Sequence, residues 1–444
     1  MLDEVTGLVE WPVPLLGRID PEFMDLPPEV MQVSMRVNQR YFALRDAEGH
    51  AAPRFAFAAN VEAVDGGAAI VAGNERVLRA RFSDARHFWD LDRRTRLADR
   101  VAALDGVTFH AKLGSQGDRA RRIARLAGRI GASIGVDPLL AERAGLLAKA
   151  DLVSGMVGEF PEVQGVMGGY YARHDGEALA VADAIRDHYA PKGPGDAVPT
   201  APVSVAVALA DKLDQLAAFF AVGEQPSGSG DPYALRRAAL GAIRLIRETG
   251  LRLPLRPLVA EADSLPAPVP ADAVLGFLVE RLRVQLRGEG ARHDVLAAVF
   301  AAGADDDLVR LLARADALSA LLGTADGANL LTAYRRAANI LRIEEKKDGP
   351  HREAPDPALL AQDEERRLAS ALDALGPELG SQLEEEDFAG AMAALARLRP
   401  ALDAFFDHVT VNDPDPNLRR NRLLLLNRVR VAMDRVADFS KIEG

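Results

Sequence analysis

The 444-residue sequence contains no cysteine. This absence excludes disulfide bonds, thiolate metal sites, iron–sulfur clusters and a cysteine nucleophile. Aromatic residues are also scarce, at 5%, so the core has to be built mainly from leucine, alanine and valine. Such a composition favours helices over strands.

Long apolar runs are missing as well, since none reaches the roughly 18 residues that a membrane-spanning helix needs. The first four residues, MLDE, are acidic where a secretory signal peptide would be basic. We therefore expect a cytoplasmic protein with no membrane contact, and a chain free of cysteine fits a reducing compartment.

The chain also has no excess of positive charge, because its formal net charge is −11. Nucleic-acid binders are often basic overall, so this number counts mildly against a nucleic-acid partner. Phosphate contacts depend on local charge, however, and a basic face on an acidic protein is compatible with it.

The order of patterns along the chain predicts a mainly α, multidomain helical protein with a small α/β segment at its N-terminus. Residues 1–98 contain two alternating stretches around a turn at 46–49, which predict a β-hairpin, followed by a helical pattern. Helical patterns dominate 99–222, 223–320 and 321–444, with glycine- and proline-rich loops between them. We take these four ranges as the predicted domains.

Standard nucleotide and acyl-transfer motifs do not occur: the sequence has no Walker-type phosphate loop, no strand-bound Gly-x-Gly-x-x-Gly and no Gly-x-Ser-x-Gly elbow. Two His-Asp dipeptides, at 174–175 and 293–294, are of the type that binds a divalent metal for phosphate ester hydrolysis. A helix cap or a solvated turn is the simpler interpretation of both pairs.

A second set of residues is better spaced for such a metal site. His110 lies early in the helical region, Asp151 in its middle and Asp211 in its last helix. The site would need a His-Asp pair in the middle, but the residue before Asp151 is Ala150, so one imidazole ligand is missing. The remaining ligands are poor for a catalytic metal, and we predict no bound metal. A metal-dependent phosphohydrolase is the rival function.

The stretch SGSGDPYALRRAALGAIRLI, residues 227–246, predicts an amphipathic helix in which Asp231 is the N-cap and Pro232 the first helical residue. Helical spacing puts its apolar residues on one side, namely Leu235, Ala239, Ala242, Ile243 and Ile246. An adjacent arc, the arginine arc, consists of Arg236, Arg237, Arg244 and Arg247. Two interpretations stay open: contacts to phosphates or to an acidic partner, and a solvated face with weak local ion pairs.

The last helical pattern raises a similar question, because Arg422 projects onto its apolar face. A charge there is costly unless it is paired or placed at an interface. An ion pair with Asp413 or Asp415 and a contact to RNA are equally good explanations. Further arginines form a rim around that face, namely Arg419, Arg420, Arg428 and Arg430.

A shorter segment, AYRRAANILR at 333–342, places Tyr334, Arg335, Arg336 and Asn339 on another predicted helix. Arginine, asparagine and a stacking tyrosine on a helical module are residue types that read unpaired bases in RNA. The segment is therefore a second candidate RNA contact.

Taken with these residues, several separated motifs make the chain resemble the beta subunit of the bacterial two-subunit glycyl-tRNA synthetase. They are, in order, LDEVTGLVEWP, GNERVLRARFSDARHFW, KLGSQGDRARRIARLA, KADLVSGMVGEFPEVQGVMGGYYA, ALADKLDQLAAFFAVGEQPSGSGDPYALRRAALGAIRLI, AYRRAANIL and NRLLLLNRVR. Members of this family carry additional N-terminal sequence, so the chain resembles a member that lacks its N-terminal part.

The resemblance implies a division of labour between two subunits. In that family the alpha subunit activates glycine with ATP and Mg²⁺ and transfers it to tRNA, whereas the beta subunit binds the tRNA for glycine. It implies an α2β2 assembly, an HD-phosphohydrolase-like domain at 99–222 with His110, Asp151 and Asp211 at degenerate positions, and an anticodon-binding-like domain at 321–444. No catalytic residue or cofactor is expected in this chain.

The resemblance also turns the arginines into candidate tRNA contacts. These candidates are Arg236, Arg237, Arg244, Arg247, Tyr334, Arg335, Arg336, Asn339, Arg419, Arg422 and Arg428. A helical scaffold without an RNA role is the remaining alternative, and it predicts binding to tRNA no better than to any other polyanion.

Overall fold

The structure is a computed structural model, and it describes residues 1–260, 265–303 and 305–443. The chain divides into two compact units. The first consists of residues 1–245 and 258–270, and the second of residues 246–257 and 271–444. The finer division into four domains stays a prediction.

The N-terminal part of the first unit is a small α/β segment, as predicted. Strands β1 (Val13–Arg18), β2 (Phe42–Arg45) and β3 (Ala51–Ala59) form an antiparallel sheet in the order β1-β3-β2. The predicted hairpin connects β2 and β3, and its tight turn requires the positive φ of 87° at Gly49. The sequence patterns did not reveal β1.

Helices precede and follow this sheet. Two short helices, α1 (Leu2–Leu8) and α2 (Pro28–Val33), flank β1 in the chain, and the long helix α3 (Ala68–Asp92) follows β3. The buried residues of α3 recur every three to four positions, which is the spacing of one helix face, and they are Leu78, Phe82, Ala85 and Trp89.

The rest of the first unit is mainly helical and contains one two-stranded sheet. Its elements are β4 (Thr108–His110), β5 (Gly114–Ser115), α4 (Gln116–Ser133), α5 (Pro138–Leu147), α6 (Gly155–Glu159), α7 (Val166–His174), α8 (Leu179–Asp187) and α9 (Pro202–Ala221). Helix α9 is buried along nearly all of its length. Helices α4 and α5 pack closely at Gly145, where a Cβ atom would lie only 2.8 Å from the Cα of Ala124. A side chain at this position would force the two helices apart.

Helix α10 (Leu235–Thr249) has the predicted apolar side, because all five predicted residues are buried. Its predicted start was wrong by three residues: the helix begins at Leu235, after Ala234 with a positive φ of 54°, rather than at Pro232. Asp231 nevertheless caps the first turn, since its carboxylate accepts hydrogen bonds from the amides of Leu235 and Arg236 at 2.8 and 2.9 Å.

The remaining elements are all helices. They are α11 (Leu255–Ala260), α12 (Ala271–Gly288), α13 (His293–Ala301), α14 (Leu308–Leu322), α15 (Ala325–Asp348), α16 (Asp363–Glu384), α17 (Phe388–Ala396), α18 (Arg399–His408) and α19 (Pro416–Asp434). Helix α19 packs against α15 and α16 and buries Leu425, Val429 and Met433. The mainly α fold class is thus confirmed. Across the described ranges, no helix is both long and apolar enough to cross a bilayer.

Candidate functional site: a buried charge cluster and two sets of arginines

Asp151, one of the three predicted metal-site positions, lies in a short 3-10 turn at Ala150–Val153 and is fully buried. Its Oδ2 accepts hydrogen bonds from the backbone amides of Gly165 and Gly168, at 2.5 and 2.9 Å. Its Oδ1 has no hydrogen-bond partner among the described residues. Burial raises the pKa of Asp151 to about 6, because the charged form loses its hydration.

Asp211 has a different environment, because two cations contact the same carboxylate oxygen. Oδ1 lies 2.9 Å from the guanidinium of Arg119 and 2.9 Å from Nζ of Lys149. Burial opposes ionisation, but the charges of Lys149 and Arg119 outweigh it and hold the pKa of Asp211 far below its ordinary value. Asp211 is therefore a charged member of a buried ion-pair cluster.

The same cluster contains a second pair one helical turn along. Nε and Nη2 of Arg122 lie 2.7 and 3.3 Å from the two carboxylate oxygens of Asp214, and both side chains are buried. Burial lowers the pKa of Lys149, whose ammonium also lies 2.9 Å from Nε2 of His188. The sequence patterns did not identify these arginines or Lys149 as a cluster, although Arg119 and Arg122 follow helical spacing in KLGSQGDRARRIARLA.

His110 lies on β4, where its ring contacts Phe219 and Tyr233 and its Nε2 is 3.2 Å from the hydroxyl of Tyr233. The cations that occupy Asp211 leave that carboxylate unavailable to a metal. Among the described residues, no three histidine, aspartate or glutamate side chains are grouped in a way that could hold a metal ion.

The aspartates of the two His-Asp dipeptides have structural partners. Asp175 follows the end of α7, and its carboxylate accepts a hydrogen bond from the amide of Leu97, at the start of another helical turn. Asp294 lies in the first turn of α13 rather than in a loop, and it pairs with Arg292 at 2.6 Å. Asp175 therefore stabilises the helical turn that begins at Leu97, and Asp294 forms an ion pair at the start of α13.

The arginine arc of α10 does not act as one surface. The guanidinium of Arg236 donates to backbone carbonyls of residues 228–230, and that of Arg244 donates to the carbonyls of Gly193 and Asp196 at 2.9 Å. Arg247 pairs with Glu289 at 3.2 Å. Arg237 alone of the four is exposed and has no acceptor among the described residues.

Arg422 is buried and paired, which is the structural alternative left open by the sequence. Its Nε lies 2.5 Å from Glu365, and its Nη1 lies 2.6 Å from Asp413 and 2.8 Å from the carbonyl oxygen of Thr410. Asp415, the other expected partner, caps α19 through the amide of Asn417 instead. In this arrangement the side chain offers no donor to an RNA.

Tyr334 is also interior, with 4% of its surface exposed. Its hydroxyl donates to Asp434 at 2.9 Å, and its ring lies 5.2 Å from that of Phe439. The ring therefore presents no face on which a base could stack.

The rim arginines of α19 form ion pairs that differ in exposure. Arg419 pairs with Glu344 and Asp348 in a half-buried position, and Arg430 pairs with Glu345. The pairs of Arg420 with Glu353 and of Arg428 with Asp373 are exposed to solvent. Exposed pairs of this kind contribute little to stability, so their arginines can exchange partners at low cost.

The exposed side of α15 carries a row of basic residues. Arg335, Asn339, Arg342 and Lys346 are all exposed and follow the spacing of one helix face. We call this surface the α15 basic face. Arg336 lies next to it, with its guanidinium 4.4 Å from the ring of Phe406. Arg335, Arg336 and Asn339 belong to the segment predicted at 333–342, whereas Lys346 lies outside it although it follows the same periodicity.

Comparison with known proteins gives two family matches. A family model described as the glycyl-tRNA synthetase beta subunit matches residues 1–301, and a model described as the DALR anticodon binding domain matches residues 330–442. The α15 basic face and all of α19 lie inside the second match.

Individual relatives agree with these matches. The chain is 57% identical over 448 residues to the glycine–tRNA ligase beta subunit of Phenylobacterium zucineum and 57% identical over 456 residues to that of Rhodospirillum centenum. The corresponding subunit of Dinoroseobacter shibae is 49% identical over 480 residues. All of this chain is aligned, and it spans 65% and 63% of the lengths of the first two relatives.

Proposed function

Because the chain belongs to the glycyl-tRNA synthetase beta subunit family, we propose that it is the tRNA-binding part of a glycine–tRNA ligase. In this proposal an alpha subunit uses ATP and Mg²⁺ to activate glycine, and the two subunits assemble as α2β2 in the cytoplasm. The chain itself binds the tRNA for glycine and contributes no reacting group.

The observation that carries this proposal is the α15 basic face within residues 330–442, the segment that matches an anticodon-binding domain. Lys346 has no acceptor among the described residues, and Arg342 donates only to Asn339, at 2.7 Å. Arg335 uses one guanidinium nitrogen for the carbonyl of Ile442 and keeps the rest. These groups are free to donate to phosphates or base edges.

The buried charges of the first unit support the same proposal over the phosphohydrolase alternative. Lys149 and Arg119 occupy Asp211, and the amides of Gly165 and Gly168 occupy one oxygen of Asp151. A metal-dependent hydrolase needs such carboxylates as metal ligands. Phosphate contacts by exposed cations need no metal.

Direct tRNA binding tests the role of the α15 basic face. We expect the variant Arg342→Glu/Lys346→Glu to bind the tRNA for glycine more weakly than wild type. The slope of log K against log salt concentration should also fall, by about one unit for each lost phosphate contact. Fluorescence anisotropy at several salt concentrations measures both quantities.

The matched control is Arg352→Glu/Arg367→Glu, which reverses two exposed charges of the second unit that have no side-chain partner among the described residues. If both double variants lost the same tRNA affinity, the loss would be explained by the change in net charge and not by the α15 basic face. That result would favour the interpretation of the chain as a helical scaffold, to which tRNA binds no better than any other polyanion.

Aminoacylation tests the division of labour. We expect glycine to be attached to tRNA only when this chain is combined with an alpha subunit, and each protein alone to be inactive. Glycylation by this chain without an alpha subunit would contradict the proposal, because it would place the reacting groups here.

A further inference from the structure

A cavity of about 270 Å³ in the first unit lies between α9, α10 and the loop that follows α8. Its charged lining residues are Lys192, Lys212, Arg237 and Asp211, and Tyr189 and Gln215 complete the wall. The volume is slightly below the range for ligand sites, about 300–1,000 Å³, so it suits a small group.

The lining carries an excess of positive charge. Three cations face one carboxylate, and that carboxylate already contacts Arg119 and Lys149, each at 2.9 Å. The negative charge of Asp211 is therefore compensated by Arg119 and Lys149, and it does not compensate the positive charges of Lys192, Lys212 and Arg237 at the cavity. An anion in the cavity would restore the balance.

Arg237 is the exposed donor at the cavity. Its neighbours in the arginine arc donate to backbone carbonyls or to a glutamate, whereas Arg237 has no acceptor among the described residues. A guanidinium is planar and presents its N–H groups in a fork that matches a phosphate or a carboxylate.

Lys212 is the buried donor. Its Nζ lies 2.9 Å from the carbonyl oxygen of Ala190 and 3.4 Å from those of His188, Tyr189 and Ala208. These acceptors are neutral, and in the described part of the chain Lys212 forms no ion pair. Its positive charge is thus stabilised by carbonyl dipoles rather than by a contacting carboxylate, and it attracts an anion in the cavity electrostatically.

The sequence of α10 leaves room for this lysine. Gly241 lies in the middle of the helix, where glycine is less favourable than alanine. A Cβ atom there would lie 2.6 Å from Cε and 3.0 Å from Cδ of Lys212, so the glycine allows the lysine side chain to pass α10. The position of Lys212 at the cavity depends on this space.

We propose that this cavity binds a phosphate group, held by Arg237, Lys192 and Lys212, and we call it the phosphate cavity. The phosphate group comes either from a free nucleotide or from an RNA backbone, since both present the same oxygens. This site is separate from the α15 basic face, and its existence does not depend on the proposed tRNA-binding function.

Calorimetric titration with inorganic phosphate and with AMP tests the proposal on the whole chain. We expect saturable binding to wild type, and at least about tenfold weaker binding to Arg237→Gln and to Lys192→Gln, the cost of one charge-assisted hydrogen bond. Both side chains are exposed, so the substitutions leave the core intact. Circular dichroism checks that the fold is kept.

The control is Arg94→Gln, which removes one exposed positive charge of the first unit outside the cavity. It should leave phosphate affinity unchanged. Absence of saturable binding to wild type, or equal weakening by Arg94→Gln and Arg237→Gln, would overturn the proposal.

A tRNA titration of the same variants then separates the two sources. If Arg237→Gln binds tRNA more weakly than Arg94→Gln does, and free phosphate competes with tRNA for the wild-type protein, the bound phosphate group belongs to the RNA backbone. Unchanged tRNA binding together with weaker AMP binding assigns it to a free nucleotide. If only Arg342→Glu/Lys346→Glu loses tRNA binding, the result bears on the proposed function and not on the proposal for this cavity.

Discussion

Nε of Arg422 lies 2.5 Å from the carboxylate of Glu365, and the two side chains are only 3% and 1% exposed. Removing one partner of a buried pair leaves the other charge without compensation, which costs about 3–5 kcal/mol. We therefore expect Arg422→Ala to lower the free energy of unfolding by that amount, as measured by urea denaturation. Its tRNA binding at a temperature where it is folded should match wild type.

The exposed pair of Arg428 and Asp373 provides the control. Such pairs contribute about 0–1 kcal/mol, so Arg428→Ala should leave the free energy of unfolding nearly unchanged. If Arg422→Ala kept its stability and instead lost affinity for tRNA, the side chain would be an RNA contact and the ion-pair explanation would be wrong.

This pair also illustrates what the sequence could and could not predict. Helical spacing alone predicts the apolar face of α19 and places the charge of Arg422 on it. A charge on an apolar face needs a partner, so the existence of a partner was predictable as well. The sequence pointed to Asp413 or Asp415, which lie nearby in the chain, and of these two Asp413 contacts Arg422. Glu365 is 57 positions away on α16, and only tertiary packing brings it close.

In the first unit, too, some features were predictable from the sequence and others were not. The apolar side of α10 was predictable because it depends on residues within one helix, and all five residues are buried. The helix start was not, because Ala234 adopts a positive φ that only the surrounding loop imposes. The phosphate cavity combines Lys192, Lys212 and Arg237 from three segments, and no local pattern connects them.

Asp151 should make the stability of the protein depend on pH in the acidic range. Its pKa is about 6 in the folded chain and about 4 in an unfolded one. The folded state therefore binds more protons between these values, and the contribution of Asp151 to stability falls as the pH rises from about 4 to about 6. Above pH 6 the full penalty of the buried charge is present.

The variant Asp151→Asn removes this titration. Between pH 4 and pH 7, its free energy of unfolding should rise relative to wild type by about 2–3 kcal/mol, the value of a shift of roughly two pKa units. The exposed Asp84→Asn on α3 is the control and should follow wild type. A constant difference between Asp151→Asn and wild type at all pH values would contradict the assignment.

Gly241→Ala separates a ligand effect from a stability effect. The added methyl group meets the flexible end of Lys212, at 2.6 Å, so the lysine has to move while the backbone stays. Alanine is favoured over glycine in a helix by about 1 kcal/mol. We expect the melting temperature to change little and the phosphate affinity measured by calorimetry to fall.

A control for this variant is Gly73→Ala on α3, where an added Cβ atom meets nothing within 4 Å. It should gain up to about 1 kcal/mol of stability and bind phosphate like wild type. Unchanged phosphate affinity in Gly241→Ala would show that the position of Lys212 does not matter to the cavity.

The phosphate cavity should lose affinity in alkaline solution. Burial lowers the pKa of Lys212 to about 8, so the lysine is charged at pH 6.5 and loses its proton as the pH rises through 8. Other charged and titratable groups at or behind the cavity are Asp211 on α9, Arg119 on α4, Lys149 before the turn at Ala150–Val153, His188, Tyr189 and Lys192 on the loop, and Arg237 on α10. Lys149 also has a lowered pKa, and its deprotonation acts in the same direction.

Sulfate is the suitable probe for this effect, because its charge is constant over the range in which that of phosphate changes. Calorimetric titration at pH 6.5 and 9.5 should show weaker sulfate binding at the higher pH. In Lys212→Arg, whose guanidinium stays charged at both values, most of the difference should disappear. An equal loss of affinity in Lys212→Arg and wild type would assign the titration to Lys149 instead, whereas pH-independent binding would show that the anion is held by Arg237 and Lys192 alone.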